Sequence, residues 1–99
     1  MPVMDVSTTV VAGTVTVVVV GDVDMDTAPR FRDAVAAAVD AHQRTVVDLT
    51  GATFFDSSGL RVLLEYAAQL TEVTIPAKGI LLRVFEVAGV DQVLPIRLI

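Results

Sequence analysis

The sequence predicts an α/β domain built on a mixed β-sheet, with an opening β-hairpin followed by right-handed β–α units. Three observations carry this reading. The first third is rich in β-branched residues and is punctuated by Ala12-Gly13, as a hairpin would be. Three later segments repeat apolar residues at helical spacing. Short apolar runs lie between those segments, and strands that alternate with helices form a sheet through right-handed crossovers.

Each element follows in order. Met4, Val6, Thr8 and Val10 alternate with smaller or polar residues, which is the period of a strand. Thr14 to Val20 is almost continuously β-branched and lacks clean alternation, which places it at the sheet centre with both faces covered. Gly21 stops that strand. Asp26 or Thr27 can cap the next helix, and Pro29 falls in its first turn, where a missing N–H costs nothing. Phe31, Ala34, Val35, Ala38 and Val39 form its apolar stripe, and His42-Gln43-Arg44 closes it with basic residues suited to the C-terminal dipole. Thr45 to Leu49 reads as a short buried strand and Thr50-Gly51-Ala52 as a turn. Thr53-Phe54-Phe55 then leads into Asp56-Ser57-Ser58-Gly59. Leu60, Leu63, Leu64 and Ala67 follow the i, i+3, i+4, i+7 pattern of a second helix, with Leu70 near its end. Val73-Thr74-Ile75 is a short strand stopped by Pro76. From Ile80 a third helix buries Leu81, Val84, Phe85 and Ala88, and Gly89 is placed to end it in the left-handed conformation. Asp91 is a cap for one further turn before Pro95, and Ile96 to Ile99 forms a last short strand. Phe31, Phe54, Phe55 and Phe85 are core candidates; Met4 and Met25 are filler or surface.

Composition narrows the function classes. The chain has 99 residues, 54% hydrophobic and 19% charged, which fits one folded domain over residues 1–99 and not a disordered acidic tail. The absence of cysteine excludes disulfides, a cysteine-based zinc site and a thiol nucleophile. A net charge of -5, with 7 Lys and Arg spread along the chain, supplies no basic face for nucleic acid. The longest apolar run, Val15 to Val20, is far short of the ~18 residues that a membrane-spanning helix needs. The first residues lack the basic stretch of a signal peptide. The expectation is a soluble cytoplasmic domain, free of membrane.

The stretch Asp56-Ser57-Ser58-Gly59 is where chemistry concentrates. A serine at a helix start commonly caps it through its side-chain oxygen. The alternative is a phosphoacceptor, because a helix N-terminus offers free N–H groups and a positive dipole to a phosphate. A phosphoryl group there adds about 1.5–2 negative charges beside Asp56. Elsewhere, Asp22, Asp24 and Asp26 alternate as at the start of a calcium loop. Such a loop needs Gly at its sixth position and Glu at its twelfth, and Thr27 and Asp33 stand there. No metal or cofactor is expected. A hydrolytic triad from Ser57, His42 and an aspartate lacks the Gly-x-Ser-x-Gly elbow, so the chain is not read as an enzyme.

Val46 to Leu60, centred on Asp56-Ser57-Ser58-Gly59, resembles the central signature of bacterial anti-sigma factor antagonists, the STAS domains. Gly21-Asp22-Val23-Asp24 through Pro29 resembles the family's second conserved block, and Leu82 to Val90 its third-helix block. The three stand in the family's order and spacing. The resemblance implies the STAS fold and a partner switch in transcription and stress response. The unphosphorylated protein binds an anti-sigma factor that is also a serine kinase, and a sigma factor is released. Phosphorylation ends that binding, and a serine phosphatase resets it. Carried onto this sequence, the acceptor is Ser57, with Ser58 the second choice and the better capping or supporting hydroxyl. Asp56, Ser58, Gly59 and Arg61 form the neighbourhood of the phosphosite. Asp22, Asp24, Thr27 and Glu65 are candidate partner contacts, together with the exposed side of the second helix at Arg61 and Gln69. Arg61 departs from the small residue common in the family, and Val73 to Gly79 is short for it. A STAS subunit of a sensory or lipid-transport complex is the alternative. Valine-rich edge strands fit a monomer or a weak dimer.

Overall fold

The structure, a computed structural model, describes residues 3–41 and 44–99. The strands are β1 (Met4–Val11), β2 (Thr14–Val23), β3 (Arg44–Phe55), β4 (Leu70–Ile75) and β5 (Ile96–Leu98). The helices are α1 (Ala28–Asp40), α2 (Ser57–Glu65) and α3 (Ile80–Ala88), with 3₁₀ turns at Ala67–Gln69 and Val90–Gln92. The strands form one sheet in the order β1-β2-β3-β4-β5. β1 and β2 pair antiparallel as the expected hairpin; every later pairing is parallel. Three parallel crossovers that step the same way across a sheet stack their helices on one face when right-handed.

Burial shows which face that is. Val15, Val17 and Val19 are sealed, while Thr14, Thr16 and Val18 are half-buried and Val20 is exposed. β2 is therefore interior to the sheet but covered on one face only, contrary to the expectation that both faces are covered. Its lateral neighbours β1 and β3 shield the open face in part, which is why β-branched residues are tolerated there. On that open face Thr74 Oγ1 donates to Glu72 (2.7 Å), and Arg97 pairs with Glu72 at 3.6 Å.

The core centres on aromatic rings from three elements. Phe55 at the end of β3 meets Phe31 of α1 edge-on, with centroids 6.2 Å apart, and Phe85 of α3 at 5.5 Å. Leu49, Leu63, Val35, Val73 and Ile75 complete it. Phe54 points the other way and is 40% exposed, so only three of the four phenylalanines are core.

Several boundaries differ from the sequence reading. Gly21 does not end β2; with φ +101° it bends the strand, and pairing with β3 continues to Val23. The turn expected at Thr50-Gly51-Ala52 is an irregular stretch within one long strand, because β3 carries extra residues relative to β2 there. Asp48 Oδ1 accepts from the Thr50 N–H and hydroxyl at this point. Arg44 opens β3 instead of closing α1, whose last helical residue is Asp40. His42 and Gln43 lie outside the described residues. α2 stops at Glu65 and Leu70 already belongs to β4; the buried side of α2 is Gly59, Leu60, Val62 and Leu63, while Leu64 is exposed. α3 ends as expected on Gly89, which takes φ +67° and ψ 28°. Ala88 is exposed, and Asp91 lies within the following 3₁₀ turn without capping it.

Candidate functional site

β2 and β3 are parallel neighbours, so their C-terminal ends and the two loops that follow lie side by side. Val23 pairs with Phe55, and the Asp56 N–H donates to the Val23 carbonyl at 3.3 Å. This brings Asp22 to Thr27 against Asp56 to Arg61, although about thirty residues separate them in sequence.

The loop Asp24–Thr27 is held by its own side chains. Asp24 Oδ1 accepts from the N–H groups of Asp26 (2.9 Å) and Thr27 (3.0 Å). Thr27 Oγ1 accepts from the Asp24 N–H (2.9 Å) and donates to the Asp22 carbonyl (2.8 Å). Asp22 Oδ1 accepts from the Thr53 hydroxyl at 2.7 Å, which ties the loop to β3. Thr27 precedes α1 but makes no side-chain cap to it. Three of the four candidate partner contacts, Asp22, Asp24 and Thr27, therefore hold the loop in place. The loop thrusts Met25 out to 77% exposure.

Asp56 caps α2. Its backbone is extended, and its carboxylate accepts from the Ser58 N–H at 2.8 Å. This corrects the expectation that Ser58 supplies the capping hydroxyl: Ser58 contributes its N–H to the cap. Ser57 is the first residue of the helix and exposed, and Ser58 is half-buried. Neither hydroxyl has a hydrogen-bond partner among the described residues, so no base touches either one.

Gly59 explains the spacing of this motif. A Cβ there would lie 2.6 Å from Cζ of Phe55, closer than side-chain carbons approach. The far end of the Phe55 ring lies under the first turn of α2, and only glycine lets the helix start so close to the core. The aromatic followed four residues later by Gly was the signal in the sequence, but its meaning needs the ring's direction.

Beside the serines, α1 and α2 border a groove of about 370 Å³ lined by Met25, Pro29, Arg32, Ser58, Arg61 and Glu65, among others. Arg32 and Glu65 close one wall as a bidentate pair, with Nε to Oε1 at 3.0 Å and Nη2 to Oε2. Hydrogen bonding to Arg32 holds the Glu65 carboxyl below the ordinary glutamate range, and the carboxylate raises the guanidinium in turn. The same guanidinium lies 5.9 Å over the Tyr66 ring. No motif in the sequence pairs residues 32 and 65. Arg61, by contrast, is exposed and makes no ion pair among the described residues. No cluster of metal-ligating side chains occurs among the described residues, and no helix there is long and apolar enough to cross a membrane.

Comparison with known proteins agrees with this fold. Residues 6–97 match the family model described as "Mlab, STAS domain". An anti-sigma factor antagonist from Mycobacterium paratuberculosis superposes with a TM-score of 0.86 at 26% identity, over 95% of this chain and 85% of that one. The unphosphorylated form of the anti-sigma factor antagonist SpoIIAA gives 0.70 at 19% identity, over 94% and 88%. The phosphorylated form of the Bacillus SpoIIAA gives 0.63 at 18%, over 96% and 91%. No curated protein matches the sequence.

Proposed function

Because the chain belongs to the STAS-domain family, with a fold of the anti-sigma factor antagonist type, we propose that it is an anti-sigma factor antagonist switched by phosphorylation at Ser57. In this reading the unphosphorylated protein binds an anti-sigma factor that is also a serine kinase, and a sigma factor is released. Phosphate on Ser57 ends the binding, and a serine phosphatase restores it. The setting is the cytoplasm.

One observation carries the proposal: an exposed serine at the first position of α2, its hydroxyl without a hydrogen-bond partner among the described residues, set beside a self-bonded loop. The hydroxyl is presented to a kinase without any unfolding. None of the described residues brings a base to that oxygen, so in this reading nucleotide, metal and base come from the kinase. Phosphate adds about 1.5–2 negative charges where Asp56 already stands, and a docked partner meets repulsion and new bulk. The first turn of α2 and Arg61, four residues along, can hold such a group without a change of fold. The unphosphorylated and phosphorylated forms of SpoIIAA both share this fold, which fits a switch made by surface charge.

The test is purification from the native organism with phosphatases inhibited, followed by phosphosite mapping and identification of bound proteins. Phosphate on Ser57, with a kinase-fold anti-sigma factor enriched on the Ser57→Ala variant, is the expected result. Ser57 unmodified in every growth condition, with transport or sensory subunits bound instead, would overturn it.

A further inference from the structure

Two cations line the groove beside the serines, and among the described residues a carboxylate holds only one of them. Arg32 is committed to Glu65 through Nε and Nη2. Arg61 is exposed and unpaired, although Asp33 lines the same groove. The nearby Asp56 carboxylate is engaged with the Ser58 N–H at the helix cap. Arg61 and Ser57 both belong to α2, four residues apart, and both are exposed. Helix residues at that spacing are neighbours, with Cβ atoms about 5–6 Å apart. Side chains on a helix lean toward its N-terminus, so a long one at position 61 reaches back over the turn that carries Ser57. A neutral hydroxyl there does not hold a guanidinium. A phosphate does, because it brings about 1.5–2 negative charges and three acceptor oxygens, and the fork of a guanidinium matches two of them.

We propose that Arg61 is the residue through which phosphorylation of Ser57 is read by the partner. With a hydroxyl at position 57, the Arg61 guanidinium is free to meet an Asp or Glu of the anti-sigma factor. With a phosphate there, Arg61 folds back onto its own helix and is withdrawn from that carboxylate. The partner then loses a cation as well as meeting a new anion. The chain carries a net charge of -5 and the other groove cation is already spent on Glu65, so this withdrawal leaves the site with no unpaired positive charge in the groove. The inference rests on the function proposed for Ser57 and deepens it. It differs from simple repulsion in one consequence. If repulsion acts alone, removing Arg61 leaves the phosphate unscreened, and phosphorylation then weakens binding by more. If Arg61 is withdrawn, its removal means that phosphorylation weakens binding by less.

Phosphoserine installed at position 57 tests the capture without any partner. In phosphorus NMR the phosphate should titrate at lower pH in the wild-type background than in Arg61→Gln, by about a third of a pH unit or more, with Arg61→Lys between them. The Arg61 Nε–H resonance should move when the phosphate is present. The kinase-fold anti-sigma factor recovered on Ser57→Ala is then titrated against wild type and Arg61→Gln, each with and without the phosphate. Unphosphorylated Arg61→Gln should bind about threefold more weakly than wild type, and its further loss on phosphorylation should be about threefold smaller. An equal phosphorus midpoint in Arg61→Gln, or a loss on phosphorylation as large as in wild type or larger, would overturn the role of Arg61 and leave the Ser57 switch standing. Equal binding by the two wild-type forms would overturn the switch, and the role of Arg61 in it, even where the phosphorus titration shows the pair.

Discussion

Replacing Gly59 by Ala tests how the site is fixed to the core. The new Cβ would stand 2.6, 2.8 and 2.9 Å from three atoms of the Phe55 ring, where carbon pairs prefer about 3.5–4.0 Å. The ring has nowhere to retreat, since Phe31 and Phe85 flank it at centroid distances of 6.2 and 5.5 Å. Either α2 lifts off the sheet or the ring tilts against its neighbours. Overpacking of this kind costs about 1–3 kcal/mol. Alanine's better helix propensity returns up to about 1 kcal/mol, and less in a first turn. The net loss is about 1–2 kcal/mol, and at about 4–8 °C per kcal/mol in a domain of this size the melting point falls by about 5–15 °C. Urea unfolding and thermal melts by circular dichroism measure it. The Phe55→Leu, Gly59→Ala double variant should lose less than the sum of the two single variants, because the smaller side chain admits the Cβ. A Gly59→Ala protein as stable as wild type, with additive effects in the double variant, would refute the packing argument.

The other expectations concern the loop, the cap and the groove wall. Asp56→Ala removes the acceptor for the Ser58 N–H and should cost about 1 kcal/mol in urea unfolding, with Asp56→Asn recovering most of it. Thr27→Val keeps the shape but strips the bonds to Asp22 and Asp24; a loss of about 1–2 kcal/mol is expected, with faster amide exchange at Asp24 to Thr27. Arg32→Ala should raise the titration midpoint of the Glu65 carboxyl toward the ordinary glutamate range, read by carboxyl carbon NMR. The sign follows from linkage: a carboxyl lowered in the folded state stabilises above its unfolded value and loses that contribution as pH falls through the lowered one. The stability gap between wild type and Arg32→Ala should therefore be full at neutral pH and close on the acid side.

Much of this molecule is legible in its sequence because the signals are local. Helical spacing locates α1 and α3, and Gly89 ends α3 where a left-handed residue is needed. The Asp-Ser-Ser-Gly stretch announces a helix start. What the sequence hides depends on partners far along the chain. Whether Thr16 and Val18 face helices or solvent is decided by all three crossovers stepping one way, and β-branched residues suit either face. The irregular stretch at Thr50 to Ala52 looks like a turn because its glycine and threonines suit one, but β2 pairs alongside it and keeps it in the strand. At the site, Asp and Ser are both good caps, and only the backbone shows that Asp56 takes that role, leaving neither serine hydroxyl with a hydrogen-bond partner among the described residues. The Arg32–Glu65 pair bridges two helices that no motif connects.

The most direct test of the account is a binding titration with the kinase-fold anti-sigma factor, using this protein with phosphoserine installed at position 57 and the unmodified protein beside it. Calorimetry gives both dissociation constants. The account predicts at least tenfold weaker binding by the phosphorylated form, or about 1.4 kcal/mol or more, with a circular dichroism spectrum unchanged between the two forms. Equal affinities for the two forms would contradict it.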